Sequence, residues 1–175
     1  MLLSIKEMEV RKVRFAKTWE PGEFDFPDTG IVQTGPVATE GVAELLPDSG
    51  DQVRIQGRVS ASLETDCHRC LGRAAFSVDA SFDLFYKPQS AAPEEDEIAL
   101  DEGEVEIGFY DLPGLELEEI VREQVLLRLP MQLVCSEACK GICPICGVNR
   151  NETACQCEAA AGNDDRWMAL KDVHI

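Results

Sequence analysis

The sequence is poor in several of the residues and patterns on which common enzymatic functions depend. Only two of its 175 residues are histidines, His68 and His174, and they stand far apart. It has no Gly-rich phosphate-binding loop, and neither a Ser/His/Asp nor a Cys/His arrangement has enough members. We therefore expect a protein that is not an enzyme and that takes no small-molecule substrate.

Long apolar runs are also missing. No stretch approaches the ~20 apolar residues that a membrane-spanning helix needs. The first residues meet a charge at Lys6 and contain no apolar segment typical of a secretory signal. We therefore expect a cytoplasmic protein without a membrane partner, in a compartment where thiols stay reduced.

Basic residues are few compared with acidic ones. The chain has 16 Lys and Arg against 33 Asp and Glu, a formal net charge of −17. Because nucleic-acid binding draws its affinity from Lys and Arg side chains that contact phosphates, binding of nucleic acid over a large part of this protein's surface is disfavoured. A basic protein partner fits this charge better.

The charge is unevenly distributed along the chain. The segment Glu94–Glu119 carries only acidic charges, which makes it the candidate surface for a basic protein. The mildly basic surroundings of Lys12 and Arg14, and of Lys140 and Arg150, are the candidates for RNA contact. The alternative is that both regions are merely solvated and that the charge serves solubility.

Cysteine, by contrast, is abundant. Six of the eight cysteines lie between Cys135 and Cys157, and the other two form the pair Cys67-His68-Arg69-Cys70. Two cysteines separated by two residues can place both sulfurs on one tetrahedral ion, at about 2.3 Å each. The chain therefore contains enough thiols for one or two zinc sites.

The pattern around Cys143 is the most specific. It reads Cys143-Pro-Ile-Cys146-Gly147 and is followed by Cys155-Gln-Cys157, so four thiols converge within 15 residues. Gly147 permits a positive φ directly after the second ligand. Disulfides and buried free cysteines are the alternatives, and structural zinc is favoured over both.

The eight thiols suffice for two four-thiolate sites. We predict that one zinc is bound by Cys143, Cys146, Cys155 and Cys157. We predict that a second is bound by Cys67, Cys70, Cys135 and Cys139, since the upstream pair needs a partner pair. A single site with the remaining thiols free stays open as the alternative.

A thiol redox protein that uses the Cys67–Cys70 pair is the alternative function. Redox dithiols of this spacing usually lie where a strand meets a helix, because the helix N-terminus lowers the thiol pKa. The residues after Cys70 continue as a strand instead. The redox function is therefore the less favoured of the two.

Alternating patterns in the first half predict strands. They cover Val53–Leu63, with Gly57 as a bulge, and Phe76–Tyr86, and they place Cys67 to Cys70 at the tip of a hairpin. Residues 2–16 and 24–26 also alternate, and a tight turn is predicted at 47–51.

The second half predicts one principal helix from about Leu115 to Arg128, which ends before Pro130. Its stripe of Leu117, Val121 and Val125 should pack on the sheet. A short strand is predicted at 104–109 and a second, short helix at 163–171.

Together these elements predict an α+β fold, an antiparallel sheet or open barrel packed by one helix, with a Cys-rich zinc-binding C-terminal module. The predicted division is a core domain over 1–134, with an acidic loop at about 88–104, and a zinc-binding module over 135–175.

Several short motifs resemble one known family. They are Cys67-x-Arg-Cys70-Leu, Asp111-Leu before the helix that ends Leu129-Pro, Cys135…Cys139-Lys-Gly-Ile-Cys143-Pro-x-Cys146-Gly, Asn149-x-Asn151, Cys155-x-Cys157, and Asp164-x-Arg166…Leu170. The chain resembles the YceD family, the large ribosomal RNA subunit accumulation proteins of bacteria and plant plastids. The resemblance implies a non-enzymatic role in 23S rRNA accumulation and large-subunit assembly. It also implies a basic large-subunit ribosomal protein or the 23S rRNA precursor as partner.

Overall fold

A mixed β-sheet with one principal helix forms the body of the protein in this computed structural model, which describes residues 1–47, 49–92 and 107–157. In chain order the elements are β1 (Leu2–Ser4), α1 (Ile5–Met8), β2 (Val13–Trp19), β3 (Val32–Gln33), β4 (Val37–Leu45), β5 (Val53–Asp66), β6 (Arg73–Pro88), a 3₁₀ turn (Gln89–Ala91), β7 (Ile107–Tyr110), β8 (Gly114–Glu116) and α2 (Leu117–Arg128).

The hairpin of β5 and β6 is the longest feature of the sheet. Its antiparallel register runs from Val53 opposite Tyr86 to Asp66 opposite Arg73. The alternation of apolar residues along both strands matches the side-chain period of a β-strand, so one face turns to the core throughout. The predicted hairpin is confirmed, with the first cysteine pair at its tip.

The other strands extend this hairpin on both sides. The order is β2-β4-β5-β6-β7, and β3 also pairs with β5. All these pairings are antiparallel except that of β6 and β7, which is parallel. The sheet does not close into a barrel, and β1 and β8 form a separate two-stranded sheet. The predicted α+β fold is confirmed, but its sheet is mixed rather than purely antiparallel.

The N-terminal region differs from the prediction of continuous strands. A single helical turn, α1, interrupts residues 2–16, and the Phe24–Phe26 segment is irregular. The side chain of Gln33 explains the irregular segment, because its Oε1 accepts hydrogen bonds from the backbone of Gly22 and Phe24, each at 3.0 Å. Its Nε2 donates to the Trp19 carbonyl at 2.9 Å. The Gln33 side chain thus supplies hydrogen bonds to this segment that a neighbouring strand would otherwise supply.

Gly57 does not form the predicted bulge. It pairs regularly with both neighbouring strands, opposite Gly41 and opposite Phe82. A Cβ at this position would lie 2.7 Å from the ring of Phe82 and 2.7 Å from the carbonyl oxygen of Glu40. Glycine therefore serves close packing here and leaves the register unchanged.

The principal helix packs as predicted. Leu117, Val121 and Val125 are fully buried on its inner face. The helix begins at Leu117, two residues later than expected, because the preceding residues form β8, in which Leu115 pairs with Leu3. Leu127 faces outward and is 68% exposed.

The buried residues form two separate clusters. The main core lies between the sheet and the helix. A small second cluster contains Cys67, Cys70, Ala74 and Cys139, with Phe76 and Val134 packed against it. The end of the hairpin therefore has little apolar core of its own.

Several predictions fall on residues outside the described part. They are the acidic residues from Glu94 to Glu106, the beginning of the strand predicted at 104–109, the helix predicted at 163–171, and the motif Asp164-x-Arg166…Leu170. Among the described residues, no helix has the length and apolar character required to span a bilayer.

Candidate metal centres

The eight thiols lie in two groups of four. Tetrad I comprises Cys67, Cys70, Cys135 and Cys139, and tetrad II comprises Cys143, Cys146, Cys155 and Cys157. Within each tetrad all four sulfurs lie within 4.8 Å of one another. The structure thus groups the cysteines in the same two sets that the sequence predicted, and a single four-thiol cluster is not the arrangement found.

Tetrad I joins the tip of the β5–β6 hairpin to the segment that follows α2. The Sγ atoms of Cys67 and Cys139 lie 3.8 Å apart, and those of Cys70 and Cys135 lie 3.7 Å apart. Four sulfurs at about 2.3 Å from a zinc ion form a tetrahedron with edges of about 3.8 Å. Disulfide bonds are far shorter, at about 2.05 Å, so the thiols fit a metal and are not oxidised.

Backbone contacts hold the two segments of tetrad I together. The His68 backbone N–H donates to the Leu133 carbonyl at 2.7 Å, and the Leu133 N–H donates to His68 Nδ1 at 3.4 Å. Farther along, the Ile142 N–H donates to the Arg69 carbonyl at 2.9 Å. These bonds link the two segments in addition to the four cysteines.

The hairpin tip is folded into a compact turn around Cys67. The Cys67 N–H donates to the Gly72 carbonyl at 2.7 Å, and the Leu71 N–H donates to the Cys67 carbonyl at 2.9 Å. Leu71 has a positive φ of 60°, which is unusual for a residue with a branched side chain. The turn directs both sulfurs of the pair toward the same point.

Tetrad II contains the tight turn that the Cys143-Pro-Ile-Cys146-Gly147 motif predicted. Gly147 has a φ of 73°, and its N–H donates to the Cys143 carbonyl at 2.8 Å. The Cys143 N–H donates to the Val148 carbonyl at 2.8 Å. In tetrad II only Cys143 is buried, whereas in tetrad I only Cys135 is exposed, so tetrad II lies nearer the surface than tetrad I.

Each tetrad contains a thiol that ionises readily, and in tetrad I the hydrogen bond from Asn151 lowers the pKa of Cys139 as well. Burial alone would raise the pKa of Cys67, but the backbone N–H groups of Cys135 and Arg69 outweigh it and lower the pKa to about 6. The backbone N–H groups of Cys146 and Ile145 lower the pKa of Cys143 to about 6. Amide groups that point at sulfur thus stabilise the thiolate form that a metal requires.

Other thiols of the same tetrads resist ionisation. Hydrogen bonding to Cys139 raises the pKa of Cys135 to about 12, and hydrogen bonding to Cys146 raises the pKa of Cys157 to about 11. Four thiols this close cannot all become anions without a compensating charge. A divalent cation provides that charge, so the donor sets fit a soft, tetrahedral ion such as zinc.

Sequence reasoning missed the role of two residues beside tetrad I. Asn151 donates from Nδ2 to the sulfur of Cys139 at 3.3 Å, and Leu133 contributes the backbone contacts to His68. The pair Asn149-x-Asn151 could have indicated a cap for a nearby chain turn, because Asn side chains bond to neighbouring backbone groups. Nothing in the sequence around Leu133 points to its contact with the hairpin.

The candidate charged surfaces are only partly described. Lys12, Arg14, Lys140 and Arg150 are all exposed, and Lys12 forms an ion pair with Glu44. On the acidic side, a cavity of about 360 Å³ lies between α2 and the sheet edge. Its lining combines aromatic and acidic side chains, among them Tyr86, Phe109, Asp111, Glu116, Glu119 and Glu123.

The fold and the two tetrads define a class of protein, a β-rich scaffold whose segments are joined by cysteine clusters suited to metal. The family profile described as "Large ribosomal RNA subunit accumulation protein YceD" matches residues 55–174, which include all eight cysteines. The chain belongs to the YceD family. The resemblance read from the motifs is therefore confirmed.

Individual relatives are distant. An uncharacterized protein of Mycobacterium tuberculosis is 35% identical over 97 residues, which cover 55% of this chain and 44% of that protein. The chloroplastic "large ribosomal RNA subunit accumulation protein YCED homolog 1" of Arabidopsis thaliana is 26% identical over 61% of this chain and 40% of the plant protein. Its maize counterpart is 25% identical over 61% of this chain and 44% of its own length.

The matched segments thus span less than half the length of these curated relatives. No solved structure matches the chain.

Proposed function

We propose that this chain is a zinc-stabilised factor for the accumulation of large-subunit ribosomal RNA, and that it acts by binding and not by catalysis. The observation that carries the proposal is the grouping of all eight thiols into two four-sulfur sets, in a member of a family named for this role. Closed four-thiolate sites are typical of structural zinc.

Zinc would be held by the four thiolates of each tetrad. The ion supplies positive charge that permits all four thiols to ionise, and it cross-links segments that have little apolar core. In tetrad I it would fasten the end of α2 to the hairpin tip. The chain's own residues orient the ligands, through the N–H groups that point at Cys67 and Cys143.

The proposal that the protein is not an enzyme is supported by the setting of its candidate reactive groups. The Nδ1 of His68 accepts a hydrogen bond from the Leu133 backbone. Within the described residues, His68 forms no hydrogen bond to a cysteine thiol. Cys67 is ionisable but fully buried, and a redox dithiol must be reached by its substrate. The redox alternative is disfavoured on both grounds.

A basic large-subunit ribosomal protein is the partner that the charge favours. The cavity beside α2 places Glu119 and Glu123 next to the rings of Tyr86 and Phe109. Carboxylates and aromatic faces both attract Lys and Arg side chains. The precursor of 23S rRNA is the second candidate, through exposed Arg69, Lys140 and Arg150.

Complementation tests the function. Cells that lack the gene should accumulate less large-subunit than small-subunit rRNA, and the wild-type chain should restore the ratio. A variant with Cys67→Ser and Cys70→Ser, which removes half of tetrad I, should fail to restore it. If the ratio is normal in cells without the gene, the ribosomal role is wrong.

A second measurement separates binding from redox chemistry. Protein purified without added metal should contain zinc and few thiols that react with an alkylating reagent. Stoichiometric disulfide exchange by Cys67 and Cys70, with no bound zinc, would instead support the redox alternative.

A further inference from the structure

One side chain connects the two tetrads. Asn151 lies in the loop between Cys146 and Cys155 of tetrad II, yet its Nδ2 donates to the sulfur of Cys139 in tetrad I at 3.3 Å. Its Oδ1 accepts from the backbone N–H of Lys140 at 2.8 Å. The side-chain amide of Asn151 therefore bonds to Cys139, the last cysteine of tetrad I, through its nitrogen and to the next residue through its oxygen.

The position of Asn151 is itself fixed by its own loop. The Oδ1 of Asn149 accepts from the backbone N–H of Asn151 and from its Nδ2, each at 3.0 Å. The Arg150 N–H donates to the Gly141 carbonyl at 2.9 Å, and Asn149 forms a β-bridge with Ile142. The loop thus lies against the segment that leads out of tetrad I.

Cys139 differs from Cys67 in the origin of its hydrogen bond. The sulfur of Cys67 accepts N–H groups from Arg69 at 3.4 Å and from Cys135 at 3.3 Å. Both donors belong to the two chain segments that carry the ligands of tetrad I. Cys139, in contrast, accepts its side-chain hydrogen bond from a residue of the tetrad II loop.

We propose that Asn151 couples the two metal sites, so that metal in tetrad II raises the affinity of tetrad I. The inference rests on the proposed occupancy of both tetrads by zinc. A metal bound to Cys146 and Cys155 closes the loop between them and removes much of its conformational freedom. The closed loop then presents Nδ2 to Cys139, where a hydrogen bond to a charged acceptor is strong.

The coupling is reciprocal. If metal in tetrad II strengthens tetrad I, metal in tetrad I must strengthen tetrad II by the same factor. The connection that tetrad I makes between the end of α2 and the hairpin tip then depends on tetrad II, a more exposed site in which Cys146 lies at the surface. A reagent that removes metal from tetrad II would weaken this connection without reaching the buried Cys67.

Cobalt titration of the full chain tests this proposal. The metal-free, reduced protein is titrated with Co²⁺, whose thiolate charge-transfer absorption reports binding, and cadmium NMR assigns resonances to each tetrad. Removing tetrad II with Cys155→Ser and Cys157→Ser should lower the affinity of tetrad I on the order of tenfold, a common size for coupling between sites. Asn151→Ala should produce a similar decrease with all eight thiols present.

The combined variant decides whether Asn151 carries the effect. If it does, adding Asn151→Ala to the variant without tetrad II should cause little further decrease, because the two changes remove the same interaction. Thr153→Ala is the matched control, since Thr153 is an exposed residue of the same loop, and it should leave tetrad I unchanged. Asn151→Asp keeps the acceptor for Lys140 but removes the donor to sulfur, and it should weaken tetrad I like Asn151→Ala.

Two results would overturn the coupling. One is an unchanged affinity of tetrad I after removal of tetrad II, and the other is a decrease that Asn151→Ala does not share. In both cases the wild-type chain still binds two ions, so the zinc sites of the proposed function would stand. Absence of any thiolate–metal absorption in the wild type would instead reject both.

Discussion

The Sγ atoms of Cys70 and Cys135 lie 3.7 Å apart, although 65 residues separate them along the chain. Between them the chain completes the long β6 strand and the whole of α2. A cross-link at this point therefore closes most of the second half of the fold. It also explains why a cysteine pair at a hairpin tip needs a second pair after the helix.

Zinc content is the most direct prediction from this arrangement. We expect about two zinc ions per chain, one for each set of four thiolates. Cys67→Ser should remove one ion and leave tetrad II loaded. Cys157→Ser should remove more zinc from tetrad II than from tetrad I. Elemental analysis of the purified protein measures both. A value near one in the wild type would contradict the division into two sites.

Chelation should affect the two parts of the protein unequally. The sheet and α2 share a large apolar core, whereas the tetrads have only a small cluster around Ala74. Structural zinc in small modules is worth ~10 kcal/mol or more of apparent binding energy. A strong chelator should therefore expose the amides of residues 133–157 to hydrogen exchange first, while β5 stays protected. Simultaneous loss of protection in both regions would show that the sheet also needs the metal.

Much of this fold follows from patterns in the sequence, and the exceptions have identifiable causes. Alternation along β5 and β6 and the stripe of Leu117, Val121 and Val125 predicted the hairpin and the helix, because burial of one face dictates the period. Residues 24–26 escaped prediction because the side chain of Gln33 bonds to that backbone from a distance in sequence. No local pattern reveals such a contact.

The site shows the same division. Cysteine spacing, together with the predicted hairpin and helix, grouped the cysteines into the two sets that the structure brings together, since ligands of one ion must converge on one point. The parallel pairing of β6 and β7 and the amide of Asn151 against Cys139 depend on how distant segments meet. Sequence spacing contains no information on either.

Core packing of α2 provides a matched pair of variants. Leu117 is fully buried, and Leu127, on the same helix, is 68% exposed. Leu117→Ala should lower the free energy of unfolding by about 2–5 kcal/mol, because it removes buried methyl groups and leaves a cavity. Leu127→Ala should change it by less than ~0.5 kcal/mol. Urea unfolding of the zinc-loaded protein measures both, and equal effects would contradict the packing described for this helix.

Acid should release the metal with a slope that changes near pH 6. Metal binding requires thiolates, so protons compete with zinc and its affinity falls as pH falls. The pKa values of Cys67 and Cys143 are lowered to about 6, so above that pH these two thiols release no proton when metal binds. Below it they must also be deprotonated, and the affinity should fall more steeply with each unit of pH. Competition with a zinc indicator across this range measures the slope, and a constant slope would contradict the prediction.

The charged surfaces give the last prediction a definite sign for each partner. Lys140→Glu with Arg150→Glu should lower retention of precursor rRNA and flatten its dependence on salt, by about one unit of slope for each phosphate that the chain no longer neutralises. Glu119→Gln with Glu123→Gln should instead weaken a basic protein partner in a salt-sensitive way, because these carboxylates line the aromatic cavity. Co-purification with pre-ribosomal particles over a series of salt concentrations measures both.

The control for these surfaces is an equal change of charge elsewhere. Arg58→Glu with Lys87→Glu makes the same change of charge on strands β5 and β6, away in sequence from both RNA candidates, the surroundings of Lys12 and Arg14 and those of Lys140 and Arg150. If it impairs RNA retention as much as the change at Lys140 and Arg150, the effect is due to net charge and not to a local interaction. If neither candidate pair alters co-purification, recognition must use apolar contacts. The exposed Ile142 and Ile145, beside the ligands of tetrad II, are then the next residues to change.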